Sequence, residues 1–482
     1  MNRSMVFFTT GKVLFVEAAL LLLPLAVSLI YGEYKMVFAF LISIALAAGV
    51  GTLLSLFCKP KNKSFYAREG FAIVSLAWIA LSLFGAIPFT LSGAIPSYVD
   101  AIFEMVSGFT TTGASILTEI ESLGKGLLFW RSFSHWIGGM GVLVFVLALI
   151  PNMADRPIHL IRAEMPGPVI GKLLPKTKDT SKILYVLYIF ITLTEVIFLL
   201  CGRVPLYDSL LLSFGTAGTG GFTFTNAGIG GYSPYVQWVI TIFMLLFGIN
   251  FTLYCLVILK RIKVAIKSEE LWTYFSIFAA STLIITANIR YLYDSLGETI
   301  RHAAFQVSSI ITTTGYSTTD FNIWPQLSRS ILFVLMLLGA CAGSTAGGFK
   351  LSRVVMLAKL IKREFQKLLH PRSVRKIKFE GKTVEESTLY GLGVYLAIYA
   401  SCLLVFFLLV SLEPFDLEVN LSAVVSCFNN IGPALGIAGP MGNYSAFSNF
   451  SKIILSFAML LGRLEIYPLL LTLTPSTWSK KQ

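Results

Sequence analysis

Charge is scarce in this chain of 482 residues. Asp, Glu, Lys and Arg together make 13%, while hydrophobic residues make 55%. A soluble domain carries about twice that share of charge, so the balance excludes a soluble enzyme, a nucleic-acid-binding protein and a disordered tail. Paired cysteines are missing as well. The six cysteines (Cys58, Cys201, Cys255, Cys341, Cys402 and Cys427) form no CxxC, and most lie in apolar runs. They read as small core residues, not as a disulfide framework or a zinc site. The four histidines are far apart, and His135 reads as a packed helix-end residue rather than a ligand. No cofactor or metal motif is present. The apolar run from Val13 is too long for a signal-peptide core and lacks an A-x-A site, so it is kept as a membrane helix.

What the chain has instead is repeated long apolar runs. Stretches of about 20 such residues span a bilayer. They occur at 6–30, 36–58, 70–95, 127–150, 183–202, 233–259, 271–289, 328–358, 388–412 and 451–474. The expected fold is an all-α polytopic membrane protein of about ten transmembrane helices. Between some of these lie shorter half-polar segments at 100–113, 207–220, 298–315 and 417–432, which suit re-entrant helices.

The net charge of +13 follows this topology. Basic residues gather at 59–69, 151–182, 260–270, 359–382 and both termini, all on one side of a ten-span arrangement. That side is cytoplasmic by the positive-inside rule, which puts both termini there. The opposite side carries Asp100, Glu104, Asp208, Glu298, Asp320, Asp416 and Glu418, and an acidic outer face of this kind is expected to concentrate cations.

An internal repeat joins these features. Each short segment ends in a glycine-centred motif: Thr111-Thr112-Gly113, Thr219-Gly220-Gly221, Thr314-Gly315-Tyr316 and Ile431-Gly432-Pro433. A serine precedes each central glycine (Ser107, Ser213, Ser309, Ser426), as does an acid (Asp100, Asp208, Glu298, and Asp416 or Glu418). The chain therefore divides into an N-terminal helix pair at 1–69 and four pore units at 70–155, 156–270, 271–387 and 388–482. One Thr-Gly pair is explained by helix packing; four at matching places in four hairpins are not. Irregular backbone at membrane depth needs enclosure or a watery cavity. Four loops around one pseudo-fourfold pore would form a ring of carbonyls able to replace an ion's hydration shell. The expected cation filter is Thr111, Thr112, Gly113, Thr219, Gly220, Thr314, Gly315, Ile431 and Gly432, with Gly113, Gly220, Gly315 and Gly432 at its core. Thr314-Gly315-Tyr316 resembles the TVGYG filter of tetrameric potassium channels.

Two features fall below that ring. The stretch 339–350 is glycine-rich, with Gly339, Gly343, Ser344, Thr345, Gly347 and Gly348. A small-residue helix contact is one reading. So many glycines weaken a helix, however, and favour a flexible loop that obstructs the pore and moves to open it. Arg463 lies inside the last apolar stretch, where a charge costs about 2.5–3.5 kcal/mol or more. It reads either as a pore-facing charge that opposes a cation or as half of a buried pair with Glu465 or another acid. Glu17 and Glu195 read as helix-packing partners within the membrane.

These motifs, with His135-Trp136-Ile137-Gly138-Gly139-Met140-Gly141, Cys341 to Gly348 and Gly462-Arg463-Leu464-Glu465, resemble the Trk/Ktr/HKT superfamily of potassium transporters. The extra pair at 6–58 matches its bacterial TrkH/TrkG type. The resemblance covers nearly the whole chain. It implies potassium uptake across the bacterial inner membrane, with K+ as the transported ion and no tightly bound cofactor. It also implies a homodimer with one pore per subunit and a cytosolic nucleotide-binding gating ring of the TrkA type. Within that pattern the filter glycines set selectivity, residues 339–348 gate and Arg463 sits below the filter. The basic loops 151–182 and 359–382 are plausible docking surfaces for the ring. One departure is the additional Gly218 in the second loop. The alternative is a secondary transporter coupling cation uptake to protons or sodium. A solute transporter with inverted repeats is disfavoured because every short segment lies on the less basic side. A membrane enzyme is disfavoured by the isolation of Glu17, Glu195 and Glu465.

Overall fold

The computed structural model describes residues 1–60, 66–141, 177–373 and 375–479; of 177–181 only the backbone is described. Most of basic loop 151–182, and residues 142–150 of the fourth expected span, therefore lie outside the described residues, as do Lys61, Lys63, Lys480 and Lys481.

The molecule is a helical membrane protein, and its only strands among the described residues form one short hairpin, Lys378–Phe379 against Lys382–Thr383. Six helices are long and apolar enough to cross a bilayer unbroken: Arg3–Ile30, Tyr34–Phe57, Ala67–Leu91, Lys182–Cys201, Glu269–Leu292 and Glu386–Val410. The first two are the N-terminal pair, which crosses at Gly11 and Gly51. A Cβ on either glycine would stand 2.9 Å from the other's carbonyl oxygen, so the two backbones can approach only as glycines. The other four are the outer helices of units 1 to 4.

The second long helix is broken in units 2, 3 and 4, and in unit 1 it is described only as far as Gly141. In unit 1 the helix Lys125–Gly139 stops at the glycines Gly138 and Gly139. In unit 2, Pro234–Phe247 and Phe251–Ile258 meet at 86°. In unit 3, Gln326–Leu338 is separated from Leu351–Leu369 by the glycine-rich loop. In unit 4, Asn449–Arg463 and Tyr467–Leu473 are separated by Glu465 and Ile466, both at positive φ. Of these breaks, the sequence leads one to expect only that of unit 3.

Between its two long helices each unit inserts a short helix, the pore helix of the expected arrangement: Tyr98–Phe109, Leu206–Gly218, Leu296–Ile311 and Leu417–Phe428. The repeated acids now have a local cause. Asp100, Asp208, Glu298 and Glu418 each stand in the first turn of a pore helix, where the positive end of the helix dipole favours a carboxylate.

Candidate functional site: a ring of four loops

The four loops after the pore helices share one backbone path. In each, the N–H of one loop residue donates back to a pore-helix carbonyl five residues earlier: Thr112 to Ser107 (2.9 Å), Gly220 to Gly215 (2.9 Å), Thr314 to Ser309 (2.8 Å) and Ile431 to Ser426 (2.9 Å). The preceding residue has positive φ, as Thr111 (56°), Thr219 (55°), Thr313 (56°) and Asn430 (57°). Non-glycine residues pay about 1–3 kcal/mol each for such a conformation. The following residue is again at positive φ and is always glycine: Gly113 (80°), Gly221 (71°), Gly315 (81°) and Gly432 (99°).

This register corrects the second loop. The position equivalent to Gly113, Gly315 and Gly432 is Gly221, not Gly220. Gly220 occupies the place of Thr112, Thr314 and Ile431. The serine rule shifts with it, because the equivalent of Ser107 is Gly215 rather than Ser213. A side chain at Gly215 would stand 2.2 Å from the Tyr316 hydroxyl, so the phenol of unit 3 takes the serine's place.

The four glycines close a ring. A Cβ on Gly113 would lie 2.0 Å from the carbonyl oxygen of Gly220; on Gly221, 1.9 Å from that of Thr314; on Gly315, 2.1 Å from that of Ile431; and on Gly432, 2.5 Å from that of Thr112. Each loop thus lays one carbonyl against the glycine of its neighbour, in the order 1–2–3–4–1. No side chain fits at any of the four positions, for steric reasons and because of φ. Above the ring opens a cavity of about 190 Å³, lined in part by Gly113, Gly221, Gly315 and Gly432.

That vestibule is not acidic: its lining contains no Asp or Glu, and Arg131 is its one charged residue. The acids expected to draw cations are mostly occupied. Asp100 pairs with Lys452 at 2.7 Å, Glu418 with Arg329, and Glu298 lies 3.7 Å from Arg301. Glu104 is fully buried behind the ring, where it accepts from Arg131 Nε (2.6 Å), the Ser115 hydroxyl (3.0 Å) and the Ile116 N–H (3.0 Å). Arg131 also donates to the Thr223 carbonyl (2.6 Å) and stacks on Phe222. This pair joins the unit 1 pore helix to the outer end of loop 2, and sequence spacing gave no sign of it.

Breaking a buried pair by removing one partner costs about 3–5 kcal/mol, because the other charge is stranded. Arg131→Met is therefore expected to lower the thermal stability of the purified protein sharply, and adding Glu104→Gln to recover part of the loss. Equal melting temperatures for Arg131→Met and wild type would refute this role.

His135 packs as the sequence suggested. Its Nδ1 faces the Gly108 carbonyl at 2.8 Å and its Nε2 accepts from the Phe222 N–H at 3.3 Å, so the proton sits on Nδ1. Its ring stands 2.3 Å from where a Cβ on Gly220 would be, and its carbonyl oxygen 2.2 Å from where one on the additional Gly218 would be, so neither position admits a side chain. Further hydrogen bonds hold the loops: Thr110 to Thr112 and Thr312 to Thr314 (2.8 Å each), Asn430 Nδ2 to the Thr112 hydroxyl (3.0 Å), and the Tyr444 hydroxyl to the Gly432 carbonyl (2.8 Å).

The glycine-rich loop of unit 3 lies against the other end of the ring. The Gly347 N–H donates to the Thr313 hydroxyl (2.7 Å), and a Cβ on Gly347 would meet the Asn429 carbonyl at 2.7 Å. The loop is tied to the bend of unit 2 as well: Cys341 N–H to the Gly248 carbonyl (3.2 Å), Phe251 N–H to the Gly343 carbonyl (3.0 Å) and the Thr345 hydroxyl to the Phe247 carbonyl (3.3 Å). Gly339, Gly343 and Gly348 take positive φ here, while the Ser344 hydroxyl donates to the Cys341 carbonyl.

Arg463 reaches this loop too. It donates to the carbonyls of Thr345 (2.8 Å) and Gly139 (2.8 Å) and to that of Gly138. Its guanidinium thus joins the second helices of units 1 and 4 to the glycine-rich loop of unit 3. Glu465 is not its partner and pairs instead with Arg353. Glu17 and Glu195 are both fully buried: Glu17 faces Gly85 of the unit 1 outer helix, and Glu195 lies beside Thr216 of the unit 2 pore helix.

A family model described as TrkH, cation transport protein, matches residues 36–278 and 292–481. The chain belongs to the TrkH family of cation transport proteins. A protein of Halomonas elongata named Trk system potassium uptake protein TrkH is 34% identical over the full length of both chains. The Escherichia coli K12 protein of the same name is 33% identical, over 97% of this chain and 98% of its own. Escherichia coli K12 TrkG is 32% identical over 99% of this chain and all of its own. The crystal structure of the potassium transporter TrkH from Vibrio parahaemolyticus superposes with a TM-score of 0.88 at 29% identity, covering 99% of this chain and all of the other. The family is one of transporters, not enzymes, and its helical membrane fold is the one described above.

Proposed function

We propose that this chain takes up potassium across the bacterial inner membrane through the ring of four loops. The observation that carries the reading is the closed sequence of glycine-to-carbonyl contacts between Gly113, Gly221, Gly315 and Gly432 and the residues before them in the neighbouring loops. Carbonyls so arranged substitute for an ion's water shell without adding net charge. Pore helices whose C-terminal ends face the ring add the negative ends of their dipoles. The filter in this reading comprises Thr111, Thr112, Gly113, Thr219, Gly220, Gly221, Thr314, Gly315, Ile431 and Gly432, and the pore units run over 70–155, 156–270, 271–387 and 388–482. Loop 339–350 is the gate, and Arg463 is the charge that stands beside it. The relatives' names fit potassium as cargo and work within a Trk system. A homodimer and a cytosolic nucleotide-binding ring of the TrkA type, docked on the basic cytoplasmic loops, complete the proposal.

Flux into liposomes holding the purified protein tests it. Potassium and rubidium are expected to enter well ahead of sodium. Equal entry of all three ions would remove the filter. Uptake that collapses unless a proton or sodium gradient is imposed would favour the coupled alternative.

A further inference from the structure

One buried carboxylate adds to the hydrogen bonds that hold the glycine-rich loop. Glu270 stands at the start of the unit 3 outer helix and is 2% exposed. Its Oε1 accepts from the N–H of Ala342, at the leading end of the glycine-rich loop, at 2.7 Å. The backbone amide of Ser352, in the first turn of the helix that follows that loop, faces the same carboxylate. The hydrogen bond to Ala342 thus holds the leading end of the segment that lies against Thr313 and Asn429. The loop's own backbone offers a poor alternative, since Gly339, Gly343 and Gly348 leave it little intrinsic preference for one shape.

Glu270 is itself held in place. The carboxylate of Glu380 accepts from the Ser268 hydroxyl (2.8 Å) and from the Glu270 N–H (3.1 Å). Glu380 and Gly381 form the two-residue turn of the cytoplasmic hairpin, both at positive φ, which presents the Glu380 side chain toward the helix start. The hairpin also grips the helix behind the gate: Lys359 donates to the Lys378 carbonyl (2.8 Å) and pairs with Glu269, while Phe379 packs with Met356 and Leu392.

We infer that Glu270 is a positioning residue that clamps the gate loop shut, and that the 378–383 hairpin sets the clamp through Glu380, so that a force on this hairpin from the cytosol is delivered to the gate. The inference rests on the reading of 339–350 as the gate. A buried backbone N–H that loses its acceptor bears the full desolvation cost of that group. The clamp therefore favours the closed loop while adding no ligand to the filter. It separates two properties: weakening it raises basal flux and leaves ion selection alone.

The test is basal flux of potassium, rubidium and sodium into liposomes carrying full-length variants, without any partner. Glu270→Ala is expected to raise basal potassium flux about tenfold, as a buried donor left without its acceptor implies, with the ion order unchanged. Glu270→Gln, whose amide oxygen still accepts from Ala342, is expected to stay near wild type, and Glu380→Ala to fall between. A monodisperse Glu270→Ala protein with wild-type or lower basal flux overturns the clamp. If that variant does not fold, Glu380→Ala decides, and wild-type flux from it overturns the clamp equally. Deleting Ser344 to Ala346 is the control. If that deletion leaks and Glu270→Ala does not, the gate stands and the clamp falls; if the deletion does not leak, the gate reading itself falls.

Discussion

Replacing Gly221 with serine is expected to damage potassium selection as severely as replacing Gly315. At Gly315 the added Cβ would stand 2.1 Å from the Ile431 carbonyl oxygen, and at Gly221 it would stand 1.9 Å from that of Thr314. Both glycines are at positive φ, so the substituted backbone is strained in addition to being crowded. The loop can relieve the clash only by turning the neighbour's carbonyl away, which removes a ligand from the ring. Selection between potassium and sodium depends on the number and placement of such dipoles. A loss of about tenfold in discrimination, equivalent to about 1.4 kcal/mol, is the expected scale for each variant. Rubidium and sodium flux relative to potassium measures it. If Gly221→Ser discriminates like wild type while Gly315→Ser does not, the ring is not built from equivalent positions and the register given to loop 2 is wrong.

Loop 2 shows what the sequence could and could not convey. The stretch Thr216-Ala217-Gly218-Thr219-Gly220-Gly221 offers three glycines, and counting glycines does not say which one faces its neighbour's carbonyl. A different signal was present. Thr111 stands two before Gly113, Thr313 two before Gly315 and Asn430 two before Gly432, and Thr219 stands two before Gly221. That offset marks the pair of positive φ values, and the two additional glycines of loop 2 mask it. Gly220 then has its own reason, the His135 ring, which lies more than eighty residues away in the chain and left no local trace.

The helices divide in the same way. Hydropathy located the apolar segments because burial in lipid requires about 20 apolar residues whatever the tertiary structure. It did not show that the second helix is broken in units 2 and 4, since a short interruption hardly alters an average. Some signs were nonetheless local. Asn250 caps the second half of the unit 2 helix by accepting from the Thr252 N–H, and Pro468 opens the last short helix of unit 4. Both are start signals inside what reads as a continuous run. Ile466 at φ 70° gave none, because a β-branched residue is the last expected in that conformation. The acids misled in a different manner. Their recurrence before each loop was real, and it reflects the first turn of each short helix, while pairing with Lys452, Arg329 and Arg301 offsets three of the charges expected to make the outer face acidic.

Arg463→Ala is expected to open the pathway, with basal potassium flux about tenfold or more above wild type. Two effects act in the same direction. The guanidinium donates to Thr345 in the glycine-rich loop and to Gly138 and Gly139 in unit 1, so its loss removes a tie between the two. Its positive charge, in surroundings far less polarisable than water, also repels a cation leaving the filter. Arg463→Lys separates them. Lysine keeps the charge, but its compact ammonium lacks the planar fork that spans carbonyls on two elements. Anchoring outweighs repulsion if the Arg463→Lys protein leaks nearly as much as the alanine variant. That is the expected result, because three carbonyls converge on one guanidinium. Flux from Arg463→Ala at the wild-type level would show that neither the contact nor the charge restrains the ion, and the role assigned to this residue would have to be abandoned.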